Sequence, residues 1–278
     1  MSSETLEIVQ VRPRTSAALT AFAALLVRDM TVLKKTFHQF ILRTIMQPLL
    51  FVFVFTYVFP KIGQGIGGNA GGQGAFSSLL VPGVLAIASI FQGIQAVALP
   101  LVQEFGYTRE IEDRMMAPLP IWGVALEKLV SGAVQGMIAA LVVFPLANFI
   151  PATPVHLHIR WFVFVTVLPL STFLGASLGL AIGTKVKPQQ VPLIFSVVVI
   201  PITFLGATYY PWARLTPIPW LKYTVLINPL VYMSEAFRAA VTPQFPHMNL
   251  FAIYAGLIGF TALLASLGIQ GFRSRVLT

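Results

Sequence analysis

Four of the nine acidic residues fall within one ten-residue window, as Glu104, Glu110, Glu112 and Asp113. A carboxylate cluster of this kind can serve acid–base or transfer chemistry at a membrane face, or it can present a charged surface to a partner. Transfer chemistry calls for a histidine beside the acids, and His38, His156, His158 and His247 all lie away from them. His156 and His158 stand two apart with no carboxylate near them in sequence, which does not fit a metal site. No nucleophile, base and orienting acid converge in any one region. The run from Gly63 to Gly74, GQGIGGNAGGQG, has the glycine content of a phosphate loop. It lacks the Lys-Ser/Thr ending that would hold a phosphate and a magnesium ion, so it reads as a flexible exposed loop. The acid cluster is expected to be a docking surface, with no catalytic centre, metal site or cofactor site on the chain.

The elements that would position such a surface follow from composition. The chain is 56% hydrophobic and only 10% charged, with a mean hydropathy of +0.82, whereas soluble domains carry about 25% charged residues. An all-α polytopic membrane protein is expected, one transmembrane domain over residues 1–278. A span needs about 20 apolar residues to cross a hydrocarbon core of about 30 Å. Six stretches qualify, 41–60, 79–103, 122–150, 161–183, 189–210 and 249–271. The first sixteen residues hold Arg12, Pro13 and Arg14 but no apolar core, so no cleavable signal sequence is expected. Cysteine is absent, which excludes disulfides and thiolate metal sites.

With six spans and both termini in the cytoplasm, thirteen of the eighteen lysines and arginines fall on the inner side, as the positive-inside bias requires. The net charge of +9 is then a topology signal. A nucleic-acid partner is not expected, because that would need a basic soluble domain. The bilayer of a cell membrane is the expected surroundings.

Residues 16–40 mix apolar positions 19, 22, 26, 33 and 37 at helical spacing with Arg28, Asp29, Lys34 and Lys35. This pattern predicts an amphipathic helix lying in the inner headgroup layer. Span one carries Phe51, Phe53, Phe55, Tyr57 and Phe59, whose spacing by two scatters the rings around a helix toward lipid or neighbours. After span two, residues 104–120 form a polar loop. If 107–116 is helical, Tyr107, Ile111 and Met115 share one face, Glu110 and Arg114 pair at i, i+4 on another, and Pro118 ends the helix.

Between Tyr209 and His247 lie six prolines, together with Tyr209, Tyr210, Trp212, Trp220, Tyr223 and Tyr232. Prolines break a single crossing and the aromatic rings favour the interface. Residues 211–247 are therefore expected to form short re-entrant helices at the outer face, where Glu235 and Arg238 neutralise each other at i, i+3. Few polar residues interrupt the spans. Gln92 and Gln95 share a face and either line a path or bond a neighbouring helix. Glu127 and Lys128 sit near enough to the inner surface to snorkel. Pro192, Pro201, Thr203 and Gly206 mark a bendable fifth span, a gate or a packing kink. Gln92, Gln95, Phe195, Pro201, Thr203 and Phe204 are the candidate pathway residues. An ion channel would need intramembrane charges that the spans do not supply.

The run Glu104, Gly106, Arg109, Arg114, Met116, Ala117, Pro118, Leu119 resembles the first cytoplasmic loop of the type 2 ATP-binding-cassette (ABC) export permeases. Tyr107 precedes Thr108 where that family has Thr directly after the glycine. Residues Leu226 to Tyr232, reading LINPLVY, with Glu235, Ala236, Phe237 and Arg238, resemble the family's Asn-Pro-Leu signature and its downstream acid and arginine. The resemblance implies that 104–120 is a coupling helix fitting a cleft on an ATPase subunit, with Glu104, Gly106, Tyr107, Arg109, Glu110, Ile111, Arg114, Met115 and Pro118 as the transmitting residues. Asn228, Pro229, Glu235 and Arg238 are then signature residues. It further implies a cytoplasmic ABC ATPase in two copies that carries the ATP and Mg, and a second permease, either a homodimer partner or a similar paralogue. Export of a hydrophobic or amphipathic drug or natural product is expected, with a lipid-linked saccharide, polysaccharide or glycolipid as the alternative.

Overall fold

The computed structural model describes residues 14–62, 70–108, 119–152 and 155–277, and every regular element among them is helical. Helix α1 is Arg14–Lys35 and ends at Thr36, whose φ of −104° and ψ of 18° leave the helical region. Helix α2 begins directly after it and runs Phe37–Lys61. The amphipathic segment expected over 16–40 is thus divided, and its last four residues belong to α2. Helix α3 is Ala70–Gln103, α4 is Ile121–Phe149 and α5 is Trp161–Lys185. Residues 70–74 begin α3, so the second half of the glycine-rich run is helical and not loop; residues 63–69 lie outside the described set.

Helix α6 covers 191–204 and is shorter than the span expected over 189–210. Pro192 and Pro201 flank a widened π turn, Phe195–Val199, and the chain leaves helical geometry after Phe204. Two further π turns occur, Phe53–Val58 within α2 and Glu104–Thr108 at the end of α3. Short helices follow, α7 Pro219–Thr224 and α8 Pro229–Val241, before the long α9, Leu250–Leu277. Among the described residues five helices, α2, α3, α4, α5 and α9, are long and apolar enough to cross a membrane.

The centre of the bundle is α3 against α5. The most apolar window of each is 72% buried, against 11% for α9 and 22% for α2. Small residues allow this approach. On α5, Gly175, Gly179 and Gly183 recur at i, i+4, i+8 and face Ile90, Gly93, Ile94 and Ala98 of α3. A Cβ on Gly93 would stand 2.5 Å from the Gly175 carbonyl carbon. Backbones this close gain dispersion contacts that larger side chains would prevent. The exposed flanks are strongly apolar, with Leu42, Met46, Leu50 and Phe53 on α2, Phe162 and Val165 on α5, and Phe251 and Ile258 on α9. These are the residues a hydrocarbon environment would cover. In α2 the rings do scatter: Phe51 and Phe55 lean on Tyr209, whereas Phe53 and Tyr57 stack together on the exposed side.

Candidate functional site

Three groups of polar residues stand out in this apolar bundle. The first lies where α3 ends and the 104–120 loop begins. Lys128 of α4 donates to the Glu104 carboxylate at 2.7 Å, with Asp29 of α1 at 3.9 Å. Both Glu104 and Lys128 are buried, and Glu127 is fully so. The expectation that Glu127 and Lys128 snorkel is therefore corrected: the carboxylate of Glu104 offers Lys128 a closer and drier partner than headgroup water. Glu104 in turn is a buried anchor for the loop and not part of an exposed docking face, while Gly106 is exposed.

The same loop root is held from the other side. Phe105 meets Phe272 of α9 edge-on with ring centroids 5.6 Å apart, and the Arg275 guanidinium lies 4.9 Å over the Phe105 ring. Arg275 also donates to the carbonyls of Gly183, Thr184 and Val186 at 3.1 to 3.3 Å. The first two are last-turn carbonyls of α5 and the third belongs to the extended residue that follows it, and a cation there also complements the helix dipole. Glu104 and Phe105 together thus touch α4 and α9, and Lys128 links the pair on to Asp29 of α1. Arg109, Glu110, Ile111, Arg114, Met115 and Pro118, and the side chain of Tyr107, lie outside the described residues, as does nearly all of the helix expected over 107–116.

The second group lines a cavity of 720 Å³ between α1, α2, α3 and α4. The cavity is lined by Arg28, Asp29, Gln39, Arg43, Gln95, Gln103 and Gln135 and by the Glu104–Lys128 pair, and Leu33, Phe40 and Leu99 supply apolar surface. This separates the two glutamines that shared one reading. Gln92 is buried and interhelical: Thr44 donates to its carbonyl oxygen at 3.1 Å and its amide donates to Gln135 at 3.4 Å. Gln95, three residues on, faces the cavity. We expect Gln92→Leu to lower stability by no more than about 1 kcal/mol, in the range of interhelical amide bonds in membranes. Gln95→Leu, which breaks no interhelical bond among the described residues, should leave stability unchanged. Thermal unfolding of the two variants gives the comparison.

The third group is at the opposite end, around α8. Asn228 caps this helix, its side-chain oxygen accepting from Leu230 N at 2.9 Å while its amide donates to the Ile202 carbonyl of α6 at 2.7 Å. Pro229 takes the first helical position, where a missing N–H costs nothing. Arg238 and Glu235 form a fully buried pair. The carboxylate also accepts from Trp212 N at 2.8 Å and Met248 N at 2.7 Å, and Arg238 donates to the Ala207 carbonyl at 3.0 Å. Ala207 has a φ of 51°, a left-handed conformation unfavourable for a residue with a Cβ. The arginine bond helps to hold it there. The four signature residues are therefore a structural tie among α6, the 205–218 segment, α8 and the start of α9.

The remaining candidate pathway residues do not converge on either polar group. Thr203 is buried and donates to the Val199 carbonyl of its own helix at 2.8 Å. Phe195 is half-buried, and Pro201 and Phe204 are exposed on α6.

The chain is similar to known membrane proteins over most of its length. The sequence profile of the family described as ABC-2 type transporter matches residues 20–242. The chain is 28% identical over 167 residues to the inner membrane transport permease YadH of Escherichia coli strain K12, and to the same permease of Shigella flexneri. The alignment covers 59% of this chain and 62% of those relatives, so the similarity spans less than two thirds of their length. The profile match takes in α2 to α8, with the loop root, the cavity and the Asn228 to Arg238 tie, and on that match the chain belongs to the ABC-2 type transporter family as a membrane permease.

Proposed function

We propose that this chain is the membrane-spanning subunit of an ATP-driven exporter in an inner or plasma membrane, working beside a second copy of itself or a similar paralogue. Two copies of a separate cytoplasmic ATPase hydrolyse the ATP. The observation that carries this reading is the anchorage of the 104–120 loop. A loop whose first two residues are held by α4 and α9, with Lys128 of α4 reaching on to Asp29 of α1, passes a push from a soluble partner to the bundle and does not absorb it in slack backbone. Nucleotide binding does work only through contacts that differ between the two ATPase states, and 104–120 is the proposed contact.

In this reading both termini are cytoplasmic and α1 lies in the inner headgroup layer. Helix α6 enters from the inner side. Its fourteen residues rise about 21 Å, short of a core of about 30 Å. The 205–247 segment fills the remaining depth as a re-entrant region. The bonds to the Ile202 and Ala207 carbonyls support this, since non-helical backbone survives at such depth only when protein satisfies it. The exposed apolar faces of α2 and α6 suit a seam with the second permease, and a hydrophobic or amphipathic drug or natural product suits their aliphatic and aromatic walls. The charged cavity favours a second reading, a cargo with a polar head such as a glycolipid or lipid-linked saccharide.

The test is co-purification with the ATPase followed by substrate-stimulated hydrolysis in vesicles. Ile111→Asp or Met115→Asp should leave the permease inserted and reduce transport by at least about tenfold, the loss expected when a buried apolar anchor is replaced by a charge. Transport at the normal rate in both variants would remove 104–120 as the transmitting element.

A further inference from the structure

We propose that the cavity between α1, α2, α3 and α4 binds the phosphate-bearing head of an inner-leaflet lipid, with Arg43 as the principal anion contact and the acyl chains lying along Phe40 and Leu99.

Four features of the cavity carry this. Its volume of 720 Å³ is in the range of small-molecule sites and too large for a few bridging waters. Arg43 lies two turns into α2, a helix apolar enough to cross a membrane, and lines this space. No carboxylate among the described residues pairs with it. A guanidinium so placed needs an anion or water, and its planar fork fits two phosphate oxygens at once. Lys128, by contrast, is held by Glu104 at 2.7 Å with Asp29 at 3.9 Å, so Arg43 and not Lys128 is the cation left to meet an anion.

The lining also has the polarity of an amphiphile. Gln39, Gln95, Gln103 and Gln135 supply donors and acceptors around the guanidinium, while Leu33, Phe40 and Leu99 continue the surface in apolar groups. A free phosphate would use the first set and leave the second wet. A diacylglycerol would use the second and leave Arg43 without its anion. A phospholipid satisfies both, and α1, with Lys34 and Lys35 in its last turn, brings basic charge to the cavity's edge where anionic headgroups gather.

This inference deepens the exporter reading and rests on it for orientation toward the inner leaflet, but its test reads binding and no transport. The purified full chain in detergent is titrated with fluorescent phosphatidylglycerol, then challenged with unlabelled phosphatidylglycerol, diacylglycerol and inorganic phosphate. Saturable binding displaced by phosphatidylglycerol and not by diacylglycerol is expected. Arg43 is exposed, so Arg43→Gln should fold normally and weaken binding by at least about tenfold, as loss of a charge-assisted, bidentate contact requires. Arg43→Lys, which keeps the charge but not the fork, should fall between the two, and it supplies the test if the glutamine variant does not fold. Equal binding by wild type and both variants overturns the proposal, as does displacement by diacylglycerol. Displacement by inorganic phosphate at the same concentration as the lipid overturns the acyl-chain part and leaves a free-anion site. Binding that holds while ATP-driven transport fails would strike the exporter reading alone.

Discussion

Arg238→Met should lower the stability of the permease by about 3 to 5 kcal/mol, the cost of breaking a buried ion pair by removing one partner. The side chain is wholly buried, its two terminal nitrogens reach Glu235 and the Ala207 carbonyl, and the Glu235 carboxylate would keep only the backbone N–H groups of Trp212 and Met248. Two amides do not replace a full positive charge in a dry site, and Ala207 would lose a bond that holds it left-handed. Glu235→Gln should cost less, since an amide oxygen still accepts from one of those N–H groups. SDS titration of the purified variants gives the comparison, with inserted yield as the cellular readout. A change in Arg238→Met of under about 0.5 kcal/mol, the size of an ordinary surface substitution, would show that the pair contributes nothing to holding the segment together.

Gly93→Leu is the second large effect. Overpacking a tight core costs about 1 to 3 kcal/mol, occasionally more, and this site belongs at the upper end because nothing nearby can yield. The new Cβ would meet the Gly175 carbonyl carbon at 2.5 Å and the Ala176 nitrogen at 2.7 Å, both backbone, and Gly179 makes the reciprocal approach to the Gly93 carbonyl. The two central helices would have to part along their contact. Gly259→Leu is the internal control: nothing lies within 4 Å of a Cβ built there, and replacing a mid-helix glycine favours the helix by somewhat under about 1 kcal/mol. The pair of substitutions, read in the same titration, separates helix propensity from helix contact. Equal stabilities would mean that α3 and α5 are not locked.

The crossings were legible in the sequence because a long apolar run depends on neighbours one residue away. Five of the six stretches are long apolar helices, and the fault in the sixth, where Pro192 and Pro201 flank residues 193–200, was visible in the same run. The Glu235–Arg238 pair was readable too, since an i, i+3 pair is local, whereas the bonds that tie it and Asn228 to Ile202, Ala207, Trp212 and Met248 join residues far apart in the chain. Direction was not. Hydropathy says that Lys128 is near an end of its helix but not that it turns inward, because its partner Glu104 is 24 residues away in the chain. Arg43 and Gln135 passed unnoticed for the same reason: each is one polar residue in an apolar run until the packing of four helices sets them around one space. The Gly175, Gly179, Gly183 repeat was present at helical spacing and went unread, although small residues one turn apart are the usual sign of a close helix crossing. The loop of 104–120 was recognised by resemblance, and its root in the bundle could be known only from the fold.

The three π turns have a consequence for motion. Each holds one residue more than an α turn, and absorbing that surplus would advance the chain beyond it by one position, about 1.5 Å along the axis and about 100° around it. A register slip of this kind keeps backbone amides bonded in the helix throughout, which matters in hydrocarbon where an unpaired amide costs several kcal/mol. Phe53–Val58 and Phe195–Val199 therefore act like spare links that give α2 and α6 a way to turn their side chains, whereas the turn at Glu104–Thr108 is pinned by the Glu104–Lys128 and Phe105–Phe272 contacts and has no such freedom.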